Sequence, residues 1–310
     1  MVSTIRSKEV IEASVVIPSY NRKWILKKAL EALSNQTYPP DKYEIILLDD
    51  GSTDGTEQMV RSLHLPCHLR YLKNRQRMGL PKTRNRGIRE ARGEIIIFTD
   101  SDVIVLPDFI EQHLSYHRKY KGVIVNGELI QISSLDQVGK KRKGIFDISF
   151  SPFDTANVSV KRNFLIEVGL FDETLAPYGW QDIELGYRLI KRGLKKKKNR
   201  NAVGYHYKTA KNSFNDLSFL CEKEKMRGIS GALFYKKFPE LKVKLATQCN
   251  PLFAFSFIGK WIDEKESGRK ILEFSEKHKI NWLYSSLVKL VGCHYYLQGF
   301  KETMKKMEDR

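Results

Sequence analysis

Short apolar runs recur through the first hundred residues: Ala13 to Pro18 (ASVVIP), Tyr43 to Leu48 (YEIILL), Leu69 to Leu72 and Glu94 to Phe98 (EIIIF). Their length and β-branched content predict buried strands. Between them, Lys23 to Asn35, Thr53 to Leu63 and Leu80 to Ala91 carry apolar residues at helical spacing. Strand and helix in alternation predict βαβ units and an α/β fold built on an open, mostly parallel sheet flanked by helices. Ligands of such sheets sit beyond the carboxyl ends of the strands, so the residues that follow each apolar run matter most. Those positions hold Ser19-Tyr20-Asn21, Asp49-Asp50-Gly51-Ser52 and Thr99-Asp100-Ser101-Asp102.

Further along, Val123 to Ile132 and Asn157 to Val160 read as strands, and the basic stretch Ser133 to Pro152 between them reads as a mobile loop. Asp182 to Arg192 reads as a helix and Ala202 to Tyr205 as a short strand. After about residue 212 the pattern becomes helical, over Asp216 to Phe238, Glu264 to Lys277 and Asn281 to Lys306. The expected division is therefore a catalytic-type α/β domain, residues 1–212, and a helical extension, residues 213–310.

At 310 residues the chain can bury a large core. Its four cysteines are far apart, without a CxxC pair, and are expected to be reduced thiols of a cytoplasmic protein. The stretches Asn250 to Ile262 and Trp282 to Phe300 are broken by Lys260, Lys289 and His294, short of the ~20 uncharged residues of a membrane span. Position matters more than total for the net charge of +18. His68 to Arg92 holds nine Lys/Arg and one acid, and Gly186 to Lys211 holds ten Lys/Arg and no acid. These two windows equal the whole excess. They point to a polyanionic partner, such as nucleic acid, a phosphorylated small molecule or anionic lipid, although Lys195 to Lys198 alone reads equally well as a solvated face.

Neither GxGxxG after the first strand nor GxxxxGK[ST] anywhere occurs, which removes support for hydride transfer and P-loop chemistry. The strand ends carry acids, and acids near a phosphorylated ligand would repel it unless a cation lay between. Asp100 and Asp102, on a turn after EIIIF, send two carboxylates toward one space where Mg²⁺ or Mn²⁺ could be held against a diphosphate. His113 and His117 share a helix face, but no HExxH surrounds them and no metal is expected there.

Together, Val16 to Asn21, Leu48 to Asp54, Gly79 to Gly87 (GLPKTRNRG) and Thr99 to Asp102 resemble the family 2 glycosyltransferases, which have the GT-A fold. Gly169 to Glu173 and Tyr178 to Leu185 look like the acceptor-side half of that family and of galactosyltransferase-type carboxy-terminal regions. The resemblance spans roughly residues 12 to 210.

The resemblance implies roles residue by residue. Asp50 would accept a hydrogen bond from the nucleobase, in a pocket shaped by Pro18 and Tyr20; an ionised acid suits the imide N–H of uracil or thymine. Asp49 would stabilise the turn. Asp100 would meet the ribose or a metal-bound water and Asp102 the metal, joined by His206, whose imidazole would favour Mn²⁺ somewhat over Mg²⁺. Lys82 and Arg84 would approach the nucleotide and its phosphates. Asp182 would be the catalytic base, with Glu184 in reserve, and relatives often carry an acid where Gln181 stands. Trp180 and Asn157 are candidate contacts to the sugar or acceptor, and Trp180 reads almost as well as a core residue.

The resulting expectation is an inverting, metal-dependent glycosyltransferase. It would move a sugar from a nucleotide-sugar donor, a UDP-sugar, to a hydroxyl of a saccharide or lipid-linked acceptor in polysaccharide or glycoconjugate biosynthesis. No specific nucleic-acid partner is expected, and peripheral contact with the inner face of a membrane stays open. The alternative is a non-catalytic basic module that binds nucleic acid or an anionic surface.

Overall fold

The computed structural model describes residues 10–140, 151–175, 178–208 and 217–309. It divides into two compact units, one of residues 1–173 and 182–209, the other of residues 174–181 and 210–310. Part of the expected mobile loop, residues 141–150, lies outside the described residues.

The first unit is built on one eight-stranded sheet with the order β3-β2-β1-β4-β7-β6-β8-β5. Strands β1 (Ala13–Ser19), β2 (Tyr43–Asp49), β3 (His68–Lys73) and β4 (Ile95–Thr99) run parallel, as the βαβ pattern requires. Strand β7 (Asn157–Lys161) is antiparallel to both β4 and β6 (Val123–Ile132). Strand β8 (Lys195–Tyr207) is parallel to β6, and the short β5 (Val103–Val105) is antiparallel to β8.

The central strands are buried on both faces, and their side chains alternate between two cores. Val15, Ile17, Ile45, Leu47 and Ile97 meet Leu26 and Leu30 of α1 (Lys23–Ser34) and Phe109 and Leu114 of α4 (Phe109–Lys119). On the other face, Val16, Leu48, Ile96 and Phe98 meet Ile88 of α3 (Leu80–Glu90), Leu165 of α5 (Arg162–Glu167), and Leu185 and Leu189 of α6 (Gln181–Lys191). Helix α2 (Thr56–Arg61) adds Met59 and Val60 to the first core. Gly87 brings α3 down onto the sheet: a Cβ there would lie 2.6 Å from Leu48 and 2.7 Å from Val16. That close approach carries the start of α3 over the strand ends.

Strand β8 departs from expectation, being 13 residues long and beginning at the lysine run. Lys195 to Lys198 pair in register with Val123 to Asn126 of β6. Their long stems take the charges to separate partners. Lys198 bridges to Glu128 at 3.2 Å, Lys196 donates to the Ser151 carbonyl at 2.7 Å, and the Lys197 ammonium lies 4.8 Å from the Tyr120 ring centre. This half of β8 reaches beyond the pairing with β5, and lysines on such an exposed edge discourage further strand addition.

His113 and His117 belong to a buried chain of polar groups rather than to a metal site. Asn157 Nδ2 donates to the Glu128 and Ala202 carbonyls, so its Oδ1 must face His113 Nε2, 2.9 Å away, as acceptor. His113 Nδ1 then accepts from Ser159 Oγ at 2.9 Å, and Ser159 Oγ accepts from His117 Nε2 at 2.8 Å. Both rings are neutral. Burial pushes His113 down to about 4, against the Asn157 hydrogen bond, while burial and then repulsion from His113 and Lys161 push His117 down to about 3.

The second unit consists of α7 (Leu217–Lys237), α8 (Leu241–Gln248), α9 (Ser256–Glu264), α10 (Glu266–Lys277) and α11 (Asn281–Glu308), preceded in the chain by the segment Thr174–Gln181. Helices α7 and α11 touch backbone to backbone at glycines: a Cβ on Gly228 would lie 2.0 Å from the Tyr296 carbonyl oxygen. Cys221, Ile262, Val288 and Val291 form one core here, and Ala232, Tyr296 and Phe300 form another with Trp180 against it. The segment Thr174–Gln181 belongs with these helices because Ser230 Oγ donates to the Leu175 carbonyl at 3.1 Å and Trp180 packs 6.1 Å from the Phe234 ring. No described helix is long and apolar enough to cross a membrane.

The depressed histidines fix the sign of a pH effect. The unfolded chain takes up protons near pH 6.5 while the folded chain resists until about pH 4 and then about pH 3. Stability is thus complete above about pH 6.5 and falls on acidification, by up to about 2 kcal/mol per histidine at pH 5. Urea unfolding at pH 7 and pH 5 should show this loss, and His117→Leu should roughly halve the part due to the pair.

Candidate active site

The three polar segments lie at the carboxyl ends of neighbouring parallel strands, β1, β2 and β4. Asn21, just past β1, has a left-handed backbone (φ 50°). Its N–H donates to Ser52 Oγ at 2.9 Å and its Oδ1 accepts from the Thr53 N–H at 2.8 Å, while the Lys23 N–H donates to Asp54 Oδ2 at 2.8 Å. The loops after β1 and β2 are thereby braced to each other.

Asp49 supports its own turn, as expected: Oδ1 accepts from the Ser52 N–H at 2.8 Å and Oδ2 from the Tyr71 hydroxyl. Asp50 is only 6% exposed and anchors the start of α3. Its Oδ1 accepts from Asn74 Nδ2, the Met78 N–H and Thr83 Oγ1 at 2.8 to 2.9 Å, and its Oδ2 accepts from the Gly79 N–H at 2.9 Å. A carboxylate at the amino end of a helix is also favoured by the helix dipole. Oδ1 is thus heavily used, and Oδ2 keeps acceptor capacity for a ligand. Nearby in the chain, Pro18 is buried in β1, and Tyr20 is 39% exposed with the Arg77 guanidinium 4.5 Å from its ring centre.

Asp100 and Asp102 follow β4. The pairing of Val103 with His206 sets the β8 histidine beside them, and the Tyr207 N–H donates to the Asp102 carbonyl at 2.9 Å. One ligand atom from each of Asp100, Asp102 and His206 falls within 4.8 Å of the others. Asp102 Oδ1 is 3.3 Å from His206 Nε2. Two ligands of one octahedral ion, each at ~2.1 Å, lie about 3 Å apart, so this spacing and the carboxylate-imidazole donor set fit a divalent cation. Burial alone would raise Asp102, but the hydrogen bond and charge of His206 and the guanidinium of Arg22, 2.6 Å from Oδ2, hold it below the ordinary carboxylate range. Asp100 moves the other way. Burial pushes it up more strongly than Arg84 pulls it down, even though 32% of its side chain still meets solvent.

Arg84 contacts two of the acids. It is 4% exposed, with Nη1 3.1 Å from Asp182 Oδ1 and Nη2 3.4 Å from Asp100 Oδ1. Asp182, in the first turn of α6, also accepts from Thr155 Oγ1 at 2.7 Å through Oδ2. Helix α3 is clamped here by Asn85, which exchanges two 2.9 Å hydrogen bonds with the Phe171 backbone. Asp100, Asp102 and Asp182 are thus gathered with Arg22 and Arg84 into one cluster. Three acids thus face two guanidiniums and one imidazole.

Three candidates fall elsewhere. Glu184 is fully buried and held by Arg188 through two contacts of 2.7 Å, so it serves the α6 interior and drops out as a base. Asn157 is 1% exposed and its amide is consumed by the buried chain described above, which removes it as an acceptor contact. Trp180 packs in the helical unit against Phe234 and takes the core reading. Lys82 is exposed on α3. Sequence reasoning missed Arg22 and Thr155. Arg22 stands just beyond the first strand end, where it could have been found; Thr155 carries no comparable signal.

A family model described as glycosyl transferase family 2 matches residues 14–173. The Bacillus subtilis uncharacterized glycosyltransferase YfnE is 28% identical, with 69% of this chain and 70% of the relative covered. Validoxylamine A glucosyltransferase of Streptomyces hygroscopicus subsp. limoneus is 27% identical over 75% of this chain, which spans 58% of that relative. Among solved structures, the mannosyltransferase PcManGT from Pyrobaculum calidifontis, in complex with GDP-Man and Mn²⁺, matches with a TM-score of 0.61 at 18% identity, covering 94% of this chain and 86% of that one. Staphylococcus aureus TarS 1–349 in complex with UDP-GlcNAc matches with a TM-score of 0.54 at 14% identity, covering 96% and 92%. At such identities the structural likeness speaks for the fold, the GT-A arrangement of a mixed, mostly parallel sheet flanked by helices. The family match decides against the non-catalytic binding module. It takes in Gly169 to Glu173 and ends before Tyr178 to Leu185, the second of the two segments with the galactosyltransferase-type likeness.

The hydrogen bonds of Asp50 generate a stability prediction. Asp50→Ala strands two buried side-chain donors and two backbone N–H groups, and should cost about 2–4 kcal/mol in urea unfolding.

Proposed function

The chain belongs to glycosyl transferase family 2, and from that premise we propose that it is an inverting, metal-dependent enzyme that transfers a sugar from a UDP-sugar to an acceptor hydroxyl. The observation that carries the reading is the gathering of Asp100, Asp102 and His206 in one cation-sized cluster, with Asp182 tied to it through Arg84. Asp100, Asp102 and His206 would hold Mn²⁺ or Mg²⁺. When bound, the cation supplies the positive charge that offsets charge growing on the departing nucleotide.

The chain's own residues do the rest. The free acceptor capacity of Asp50 Oδ2 supports recognition of an imide N–H, as uracil offers, with Pro18 and Tyr20 shaping the pocket and Lys82 at its approach. Asp182 takes the proton of the incoming hydroxyl. A carboxylate suffices because that hydroxyl becomes acidic as the new bond forms, and a third of the Asp182 side chain remains accessible. Attack from the side opposite the diphosphate inverts the anomeric carbon.

In the same reading, residues 1–212 bind donor and cation, and residues 213–310 meet a saccharide or lipid-linked acceptor in polysaccharide or glycoconjugate synthesis. Exposed Phe257, Trp261 and Trp282 in the helical unit support peripheral contact with the cytoplasmic face of a membrane.

The test is a thermal shift with UDP and Mn²⁺. At a hundredfold excess over Kd, about 2.7 kcal/mol of stabilisation should appear and vanish with EDTA. Asp102→Ala should lose the metal-dependent part, whereas Asp182→Asn should keep it while transfer, read as released UDP, falls by ~10²-fold or more. Full turnover by Asp182→Asn would overturn the assignment of the base.

A further inference from the structure

We propose that Arg84 is the positioning residue that registers the base against the donor-binding acids. The inference rests on the reading of Asp182 as base and deepens it. A guanidinium is a rigid planar fork, and here its two terminal nitrogens divide between two carboxylates from different elements: Nη1 to Asp182 on α6 and Nη2 to Asp100 after β4. The distance between the proton-accepting group and the donor site is thereby set by one side chain that cannot stretch.

Arg84 is itself held on several sides. It is buried, its Cζ lies 5.6 Å from the Phe171 ring centre, and the neighbouring Asn85 ties α3 to the Phe171 backbone. Its Nε has no partner, so the whole hydrogen-bonding value of this buried cation lies in the fork. A buried charge needs compensating partners, which makes the two acids as necessary to Arg84 as Arg84 is to them. The contact on Asp100 falls on Oδ1 alone, so Arg84 does not use its Oδ2. Thr155 completes the arrangement by holding Asp182 Oδ2 at 2.7 Å, so the carboxylate is fixed in rotation as well as in distance. A single ammonium at residue 84 would keep the charge but could not span both acids.

Arg84→Lys tests this with three readouts: kcat and donor KM from released UDP, and the UDP–Mn²⁺ thermal shift. The expected result is a fall in kcat of ~10²-fold, the scale of a misplacement of about 1 Å, with donor KM and the thermal shift within about threefold of the wild type. Because Arg84 acts through Asp182, Arg84→Lys should remove little further activity in an Asp182→Asn background. A kcat within threefold of the wild type overturns the inference, as does a loss of donor affinity with kcat retained, which would make Arg84 a donor contact. If Arg84→Lys does not fold, the same comparison on Arg84→Gln decides, since glutamine keeps donors at one end only. Failure of the underlying reading looks different: Asp182→Asn would then stay active, or the wild type would release no UDP from any UDP-sugar.

Discussion

Carboxylates brought together at the ends of parallel strands must be compensated by positive charge, and the site is organised by how that is done. Asp100, Asp102 and Asp182 converge, while Arg22 and Arg84 each satisfy part of the set without filling it. Beside them, Asp102 and His206 approach to 3.3 Å. A site already neutralised by protein cations would have little affinity for a metal, and one with no cations would scatter its acids. The intermediate balance holds the acids together and leaves the cluster able to accept a divalent cation.

That balance depends on packing remote from the chemistry. The two-residue alternation of β1, β2 and β4 fills both faces of the sheet, and the absence of a side chain at Gly87 lets α3 settle directly on Val16 and Leu48. With α3 seated, Thr83 reaches Asp50 and Arg84 reaches the two acids beyond it. The hydrophobic pattern therefore acts on function through a helix height, because a shift of α3 would move both the turn anchor and the guanidinium fork.

Much of this was legible in the chain itself. The four parallel strands, the helices between them and the acids at their ends follow from apolar runs with polar residues after them, a local signal. Asp100 and Asp102 could be read from their place after a strand, whereas His206 joined them only through what the family resemblance implies. What could not be read was long-range. The lysines of β8 look like a solvated run until β6 supplies a ladder and Glu128, Ser151 and Tyr120 take the charges. Glu184 and Asp182, two residues apart on one helix, differ only in which neighbours fold against them. Asn157 is polar by composition and interior by topology, because antiparallel β7 places it among His113, Glu128 and Ala202.

The brace between the loops after β1 and β2 bears on how such a protein can diversify. Asn21 donates its backbone N–H to Ser52 and accepts one from Thr53, and Asp54 accepts the N–H of Lys23. Neither loop has a conformation independent of the other. Changes that reshape these loops must then travel as a matched pair of segments about thirty positions apart in the chain, so grafting one segment alone from a relative would import its residues without the shape that makes them usable.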